Sequence, residues 1–234
     1  MSPNITLQEA WKGSADCEHC ELRNSVLFAG LTMDDFEHIH EPINQVSLRP
    51  GQALYRGGEH GSRIYTLRQG LIKLVRYLPD GTQRIVRLVR SSDVTGLESL
   101  LDQPYEHDAI AIQECELCCL PNSVVNELSQ RNPKLHQELL RRWQHALVLA
   151  DTWLTELSTG PARQRVARLI LCLSDDQEPS QCQLFSREDL GAMLGITTET
   201  ASRIIADFRR KGWLTETTHN CYVVNKPAIS RYFG

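Results

Sequence analysis

No apolar run in this sequence is long enough to span a bilayer. The runs are short, such as Leu169 to Leu173, whereas a spanning helix needs about 20 apolar residues. The first residues, MSPNITLQEAWKG, lack the basic-then-apolar order of a secretion leader. A cytoplasmic location with no membrane partner is therefore expected. An excess of positive charge is also missing, because the net charge is −4. That excludes indiscriminate nucleic-acid binding, which needs an overall cationic surface. What the chain does have is apolar content: 41% of its 234 residues are hydrophobic. That is enough for a sizeable core and argues against disorder.

Charge is unevenly placed. Residues 159–234 hold 10 Lys and Arg against 8 Asp and Glu, a net of +2, and the remainder carries −6. A mildly basic C-terminal part attached to an acidic N-terminal part suits a DNA reader joined to a sensor. The eight cysteines exceed what packing needs in a reducing compartment, where structural disulfides are disfavoured. Some are expected to be core residues, others ligands or redox thiols.

Between Gln45 and about Leu120, Pro50-Gly51, Gly57-Gly58, Gly61, Gly70, Pro79-Asp80-Gly81 and Gly96 punctuate short runs of Val, Ile, Leu and Tyr. Ile64 to Leu67, Leu71 to Leu78 and Gln83 to Val89 read as strands. Asp80-Gly81 between two of them is a hairpin signal. Strands at this spacing predict a small antiparallel roll. The period then changes. Asn132 is placed to cap a helix and Pro133 to start it. Leu135, Leu139, Trp143, Leu147, Ala150 and Leu154 recur every three or four residues, followed by Leu157. This is a helix of six or seven turns with one apolar stripe, either packed on its own roll or paired with a second copy, and a homodimer is the preferred reading. Ser158-Thr159-Gly160-Pro161 breaks it, and Pro161 is placed in the first turn of the next helix. Asp175 to Gln183 reads as a polar loop.

Phe185 to Gly212 carries the sharpest signal. Ser186 is a cap with Asp189 three residues on. Leu190, Met193 and Leu194 form a buried face, and Gly195 allows a tight turn. Thr197 or Thr198 caps a second helix with Ala201, Ile204, Ile205 and Phe208 inward. Its outer N-terminal face holds Thr198, Glu199, Ser202 and Arg203. Gly212 ends it, and Trp213 to Thr217 with Cys221 to Val224 form a wing hairpin. A helix in a major groove uses such side chains: Arg203 can fork onto guanine O6 and N7, and Glu199 can accept from a cytosine amino group. Ser202 can touch a thymine or a phosphate. Arg187, Arg209 and Lys211 are better placed for phosphates, which position without specifying. The competing reading is a protein-interaction module in which Glu199 and Arg203 merely pair at i,i+4.

Roll, long helix and winged helix-turn-helix together resemble the CRP/FNR family of bacterial transcription regulators over nearly the whole chain. Within it, Glu199-Thr200-Ala201-Ser202-Arg203 matches the E-x-x-S-R motif of the FNR-like branch. The resemblance implies an α+β chain in four parts: a cysteine-bearing segment (1–28), a cyclic-nucleotide-binding-like jelly roll as sensor (29–131), a dimerisation helix (132–158) and a winged helix-turn-helix (159–234). It implies a palindromic double-stranded DNA site close to TTGAT-N4-ATCAA, contacts with RNA polymerase, and no enzymatic activity. In cyclic-AMP-binding members an Arg-Ser pair holds the phosphate. The corresponding residues here are His107 and Asp108, and an Asp would repel a phosphate, so cyclic AMP is not expected.

FNR-like oxygen sensors hold a [4Fe–4S] cluster on three N-terminal cysteines and one at the end of the roll. Cys17 and Cys20 match the first two and Cys118 the last. Val26 stands where the third N-terminal thiol falls. Cys115 could complete a second C-x-x-C pair with Cys118, for a cluster or for zinc. Strand alternation opposes that, placing Cys115 and Cys119 on one face and Cys118 on the other. His19 or an acidic group is another candidate ligand. A thiol–disulfide switch between Cys17 and Cys20, or with Cys118, needs no fourth ligand. A haem on His107 or His19 ranks last. The sequence thus predicts a redox- or oxygen-responsive activator. From a different class, it admits a redox or metal-binding protein with no specific DNA binding.

Overall fold

The computed structural model describes Glu41 and residues 43–176 and 179–231. Two compact units emerge. Of the described residues, one unit holds those up to Arg76 with Arg87–Val148, and the other holds Tyr77–Val86 with those from Leu149 onward.

The first unit is built on β1 (Asn44–Leu48), β2 (Ala53–Tyr55), β3 (Arg63–Gln69), β4 (Ile72–Tyr77), β5 (Gln83–Val89), β6 (Val94–Thr95), β7 (Asp108–Ala111) and β8 (Cys115–Pro121). They form two four-stranded sheets, ordered β1-β8-β3-β6 and β2-β7-β4-β5. Strands β1 and β8, β3 and β8, β2 and β7, and β4 and β7 pair antiparallel, as the predicted roll requires. A hairpin joins β4 to β5 at Asp80-Gly81. Gly81 has φ 81°, its N–H donates to the Leu78 carbonyl at 2.8 Å, and the Asp80 carboxylate accepts from the Thr82 N–H at 2.8 Å. A 3-10 turn (Leu97–Leu101) separates β6 from β7.

Two helices follow, α1 (Asn122–Arg131) and α2 (Pro133–Thr152). The sequence reading missed α1. Asn132 caps α2 as predicted, its side chain accepting from the N–H groups of Lys134 and Leu135 at 2.9 and 3.4 Å. Ile43, Ile64, Leu97, Leu120, Val124, Val125, Leu128, Leu135 and Leu139 form one buried cluster between the sheet and these helices. A π-turn (Trp153–Leu157) ends the long helix.

The second unit contains α3 (Ala162–Leu173), β9 (Gln181–Gln183), α4 (Arg187–Leu194), α5 (Thr198–Arg210), β10 (Leu214–Thr218), β11 (Cys221–Val224) and α6 (Lys226–Ser230). Pro161 caps α3 rather than lying inside its first turn. The segment read as a polar loop ends in a strand, because β9 pairs with β11 in a three-stranded sheet ordered β10-β11-β9. Cys182 supplies the apolar contact, buried between two exposed glutamines. Among the described residues no helix is long and apolar enough to cross a membrane.

Candidate nucleic-acid interface and sensor roll

Local chemistry sets the angle between α4 and α5. The Ser186 hydroxyl accepts from the Asp189 N–H at 3.0 Å and starts α4. Gly195 ends it in the left-handed region, φ 64° and ψ 43°. The Thr197 hydroxyl then accepts from the Thr200 N–H at 3.2 Å and starts α5. Gly191 was not singled out from the sequence, yet it is as necessary as Gly195. A Cβ there would lie 2.6 Å from the Ile196 carbonyl oxygen, so only glycine lets the turn fold back this closely. Its spacing of four from Gly195 was the available signal. Ala201, Ile204, Ile205 and Phe208 are buried on the inner face of α5, as their spacing predicts.

The opposite face of α5 is open. Thr198, Glu199, Ser202 and Arg203 are all exposed. The Ser202 and Arg203 side chains make no hydrogen bond or ion pair with another described residue. The Glu199 carboxyl is held below its ordinary value, first by its own backbone N–H, then by Thr197, with Arg203 acting at longer range. The intrahelical Glu199–Arg203 ion pair of the competing reading is not formed. These groups converge at the N-terminal end of α5, where they can reach one ligand edge together.

The cations assigned to phosphates are placed differently. Arg187 donates to the Tyr222 hydroxyl at 2.9 Å, tying α4 to β11. Arg209 pairs with Glu216 at 3.0 Å. Lys211 pairs with Asp207 at 3.4 Å and sits 5.1 Å over the Trp213 ring. All three are thus oriented by intramolecular partners.

The stripe along α2 and the π-turn after it divides. Leu135 and Leu139 are 1% and 8% exposed and packed in their own unit's core. They belong to the monomer's packing and not to a free seam, which corrects the assignment of the whole stripe to a partner helix. Trp143, Leu147 and Leu154 are 39%, 63% and 67% exposed, and Leu140 joins them at 57%. Ala150 is exposed too. Leu140, Trp143, Leu147, Ala150 and Leu154 follow alternating steps of three and four, the seam spacing of a coiled coil.

Inside the roll, aromatic rings stack on one another. Tyr55 stacks on Tyr105 at 3.9 Å and on Tyr65 at 6.0 Å. The Tyr105 hydroxyl donates to the Arg63 carbonyl at 2.8 Å. Tyr55 is paired with Thr95, and burial raises its phenol far above the ordinary value. Asp108 accepts from the Gly57 N–H at 2.8 Å and pairs with Arg56 at 2.6 Å. Arg56 lies 52 residues upstream of Asp108, and the β2–β7 pairing brings it there. Burial, and then Arg87, lower the pKa of His107.

Cysteine placement follows the predicted alternation. Cys115 and Cys119 are 1% and 4% exposed, and Cys118 on the other face packs against the helix-side core. Burial raises the pKa of both Cys115 and Cys119, although Arg63 Nη1 approaches Cys119 Sγ at 3.6 Å. The fold therefore does not bring Cys115 and Cys118 together as a ligand pair. Among the described residues no three His, Cys, Asp or Glu cluster in a way that could hold a metal ion. Cys17, His19, Cys20 and Val26 lie outside the described residues.

Comparison with known proteins agrees with this geometry. Residues 45–132 match the family described as the cyclic nucleotide-binding domain, and residues 164–232 match the Crp-like helix-turn-helix domain. The transcriptional activator protein anr of Pseudomonas aeruginosa is 25% identical over 227 residues, covering 94% of this chain and 93% of that protein. The fumarate and nitrate reduction regulatory protein of Yersinia pestis is 24% identical over 225 residues, covering 93% and 90%. Among solved structures, FixK2 from Bradyrhizobium japonicum superposes with a TM-score of 0.72 at 24% identity, covering 82% of this chain and 97% of that one. The chain thus carries, in order, a segment similar to the cyclic nucleotide-binding domain and a segment similar to the Crp-like helix-turn-helix domain.

Proposed function

We propose that this chain of the CRP/FNR type is a homodimeric, sequence-specific DNA-binding transcription regulator. The observation that carries the proposal is the open face of α5, where Glu199, Ser202 and Arg203 stand exposed at the end that enters a groove. Helix-turn-helix proteins read base edges with this part of the second helix. The names of the relatives, a transcriptional activator and a fumarate and nitrate reduction regulator, support the same reading. The site proposed is a palindrome close to TTGAT-N4-ATCAA, with half-sites about 34 Å apart. Arg187, Arg209 and Lys211 are proposed as phosphate contacts beside it, and Leu140, Trp143, Leu147, Ala150 and Leu154 as the dimer seam. RNA polymerase is the proposed partner on the DNA.

The proposed signal is redox state, read through Cys17 and Cys20 with Cys118. The described residues do not assemble four thiolates for an iron–sulfur cluster, because Cys115 and Cys119 face the roll interior. No step is therefore assigned to a cluster. A cyclic nucleotide is not the proposed effector, since Asp108, already held by Arg56 and the Gly57 N–H, stands where the resemblance puts the phosphate.

A gel shift with the palindrome against a scrambled duplex tests the DNA assignment. Preference for the palindrome in at least one of the oxidised and reduced forms is expected; no preference in either overturns it. Replacing Arg203 by Ala is expected to relax preference at one G·C pair by about 1–3 kcal/mol. Equal weakening on every sequence would make Arg203 a phosphate contact instead. Anaerobic purification with an absorption spectrum and iron, sulfide and zinc analysis tests the signal. A metal-free protein whose DNA affinity changes on oxidation supports the thiol reading. Iron with acid-labile sulfide would replace it with a cluster completed by a ligand such as His19.

A further inference from the structure

Two charges in the second unit oppose their own helices. The first turn of α3 carries Arg163 and no acidic residue, although a helix N-terminus disfavours cations. The last turn of α5 begins with Asp207, although a helix C-terminus disfavours anions. The two meet: Arg163 Nη1 lies 2.5 Å from Asp207 Oδ2, with the side chains 30% and 18% exposed. Once they are in contact, each charge suits the dipole end of the other helix. The pair makes electrostatic sense only when α3 and α5 are docked.

Packing reinforces the contact. The Arg163 guanidinium lies 5.6 Å over the ring of Phe208, which is fully buried and tilted against Trp213 at 4.9 Å. Arg210 and Lys211 also approach the Asp207 carboxylate, at 3.3 and 3.4 Å, but from its own helix end. Arg163 provides the shortest contact and the one that crosses between helices. The Asp207 carboxyl is held below its ordinary value, chiefly by Arg163. In the same stretch of α3, Arg165 donates to the carbonyl of Leu194, the last residue of α4. The start of α3 thus holds both helices of the reader.

We propose that Asp207 is a positioning residue for DNA reading, which through Arg163 fixes the orientation of α5 and so aims Glu199, Ser202 and Arg203 at the bases. It stands eight residues, about 12 Å of helix, from Glu199, so it acts through the helix and not at the base edge. This inference rests on the DNA-reading function proposed above. The rival role is a counter-charge that merely neutralises Arg163, Arg210 and Lys211. The two roles differ in salt dependence, because freed cations that reach phosphates steepen it.

The test is fluorescence anisotropy on the full chain, with the palindromic and a scrambled duplex at several salt concentrations. The variants are Asp207→Asn, Asp207→Glu, Arg163→Lys and the Asp207→Asn/Arg163→Lys double. Wild-type protein without preference for the palindrome overturns the DNA-reading function and this inference with it. Given that preference, Asp207→Asn and Arg163→Lys are each expected to weaken palindrome binding at least tenfold. Scrambled-duplex binding should stay within twofold and the salt slope unchanged. The double variant should be no worse than either single, and Asp207→Glu should recover part of the loss. Unchanged palindrome affinity overturns the inference, as does equal strengthening on both duplexes with a steeper salt slope. Circular dichroism and melting curves accompany each variant. If Asp207→Asn does not fold, Arg163→Lys alone decides, since it keeps the charge and loses the guanidinium that lies against Asp207 and over the Phe208 ring; failure of both to fold assigns the pair a purely structural role.

Discussion

Arg56 and Asp108 form an ion pair of 2.6 Å, joining the end of β2 to the start of β7. Asp108 also accepts from the Gly57 N–H. The carboxylate thus takes a guanidinium and a backbone donor that an incoming anion would otherwise use. Cyclic AMP at 1 mM is therefore expected to leave the melting temperature unchanged in differential scanning fluorimetry. A ligand with a dissociation constant of about 10 µM would stabilise the protein by about 2.7 kcal/mol at that concentration, a shift that is readily seen. A clear upward shift with cyclic AMP would show that the Arg56–Asp108 pair does not block an anion there.

His107, beside this pair, makes stability sensitive to acid. Burial, with Arg87 second, lowers its pKa below the ordinary 6.5. The unfolded chain therefore binds a proton more readily than the folded one. The contribution is fully present above about pH 6.5 and is lost as pH falls through the folded value. The midpoint of urea unfolding is expected to fall between pH 7.5 and 5.5, and His107→Gln should remove part of that fall. An identical pH dependence in the variant would show that His107 is not responsible.

Gly191 packs its α-carbon under the carbonyl of Ile196, where an added Cβ would lie 2.6 Å from the oxygen. Gly191→Ala is expected to destabilise the winged unit by about 1–3 kcal/mol, the usual effect of overpacking. Ala192→Gly, one position along the same helix, removes a methyl without creating a clash. It should lose only about 1 kcal/mol, from helix propensity. Chemical denaturation of the two variants side by side checks this. Equal losses would mean that the turn can open to admit a side chain.

Much of this architecture is legible in the chain because local rules dominate it. Asp80-Gly81, Asn132-Pro133, Ser186, Gly195 and Thr197 each satisfy backbone groups within a few residues, so sequence alone locates the hairpin, the long helix and the reader. β9 was missed because its pattern, one buried Cys182 between two glutamines, is too short to show a period. The role of Arg56 was missed for a different reason: its partner is distant in the chain, and nothing local marks the contact. Arg163 and Asp207 fall between these cases. Each breaks a helix-end rule visible in the sequence, but only the docked helices show that the two exceptions answer each other.

The apolar stripe of α2 joins two tasks that a periodic pattern cannot separate. Leu135 and Leu139 are four residues apart, as Trp143 and Leu147 are, yet the first two are buried in their own unit and the last two are 39% and 63% exposed. Substitutions should therefore act in opposite ways. Leu135→Ala is expected to lower unfolding stability by about 2–5 kcal/mol, the range for a core leucine, and to leave the oligomeric state unchanged at high protein concentration. Leu147→Glu places a charge on the seam and leaves the roll's core intact. It should convert a dimer to a monomer in sedimentation velocity, with little change in the melting of the roll. A monomer reads one half-site only, so palindrome affinity should fall with dimerisation. If Leu147→Glu remains dimeric, the seam lies elsewhere and the exposed face of α2 needs another partner.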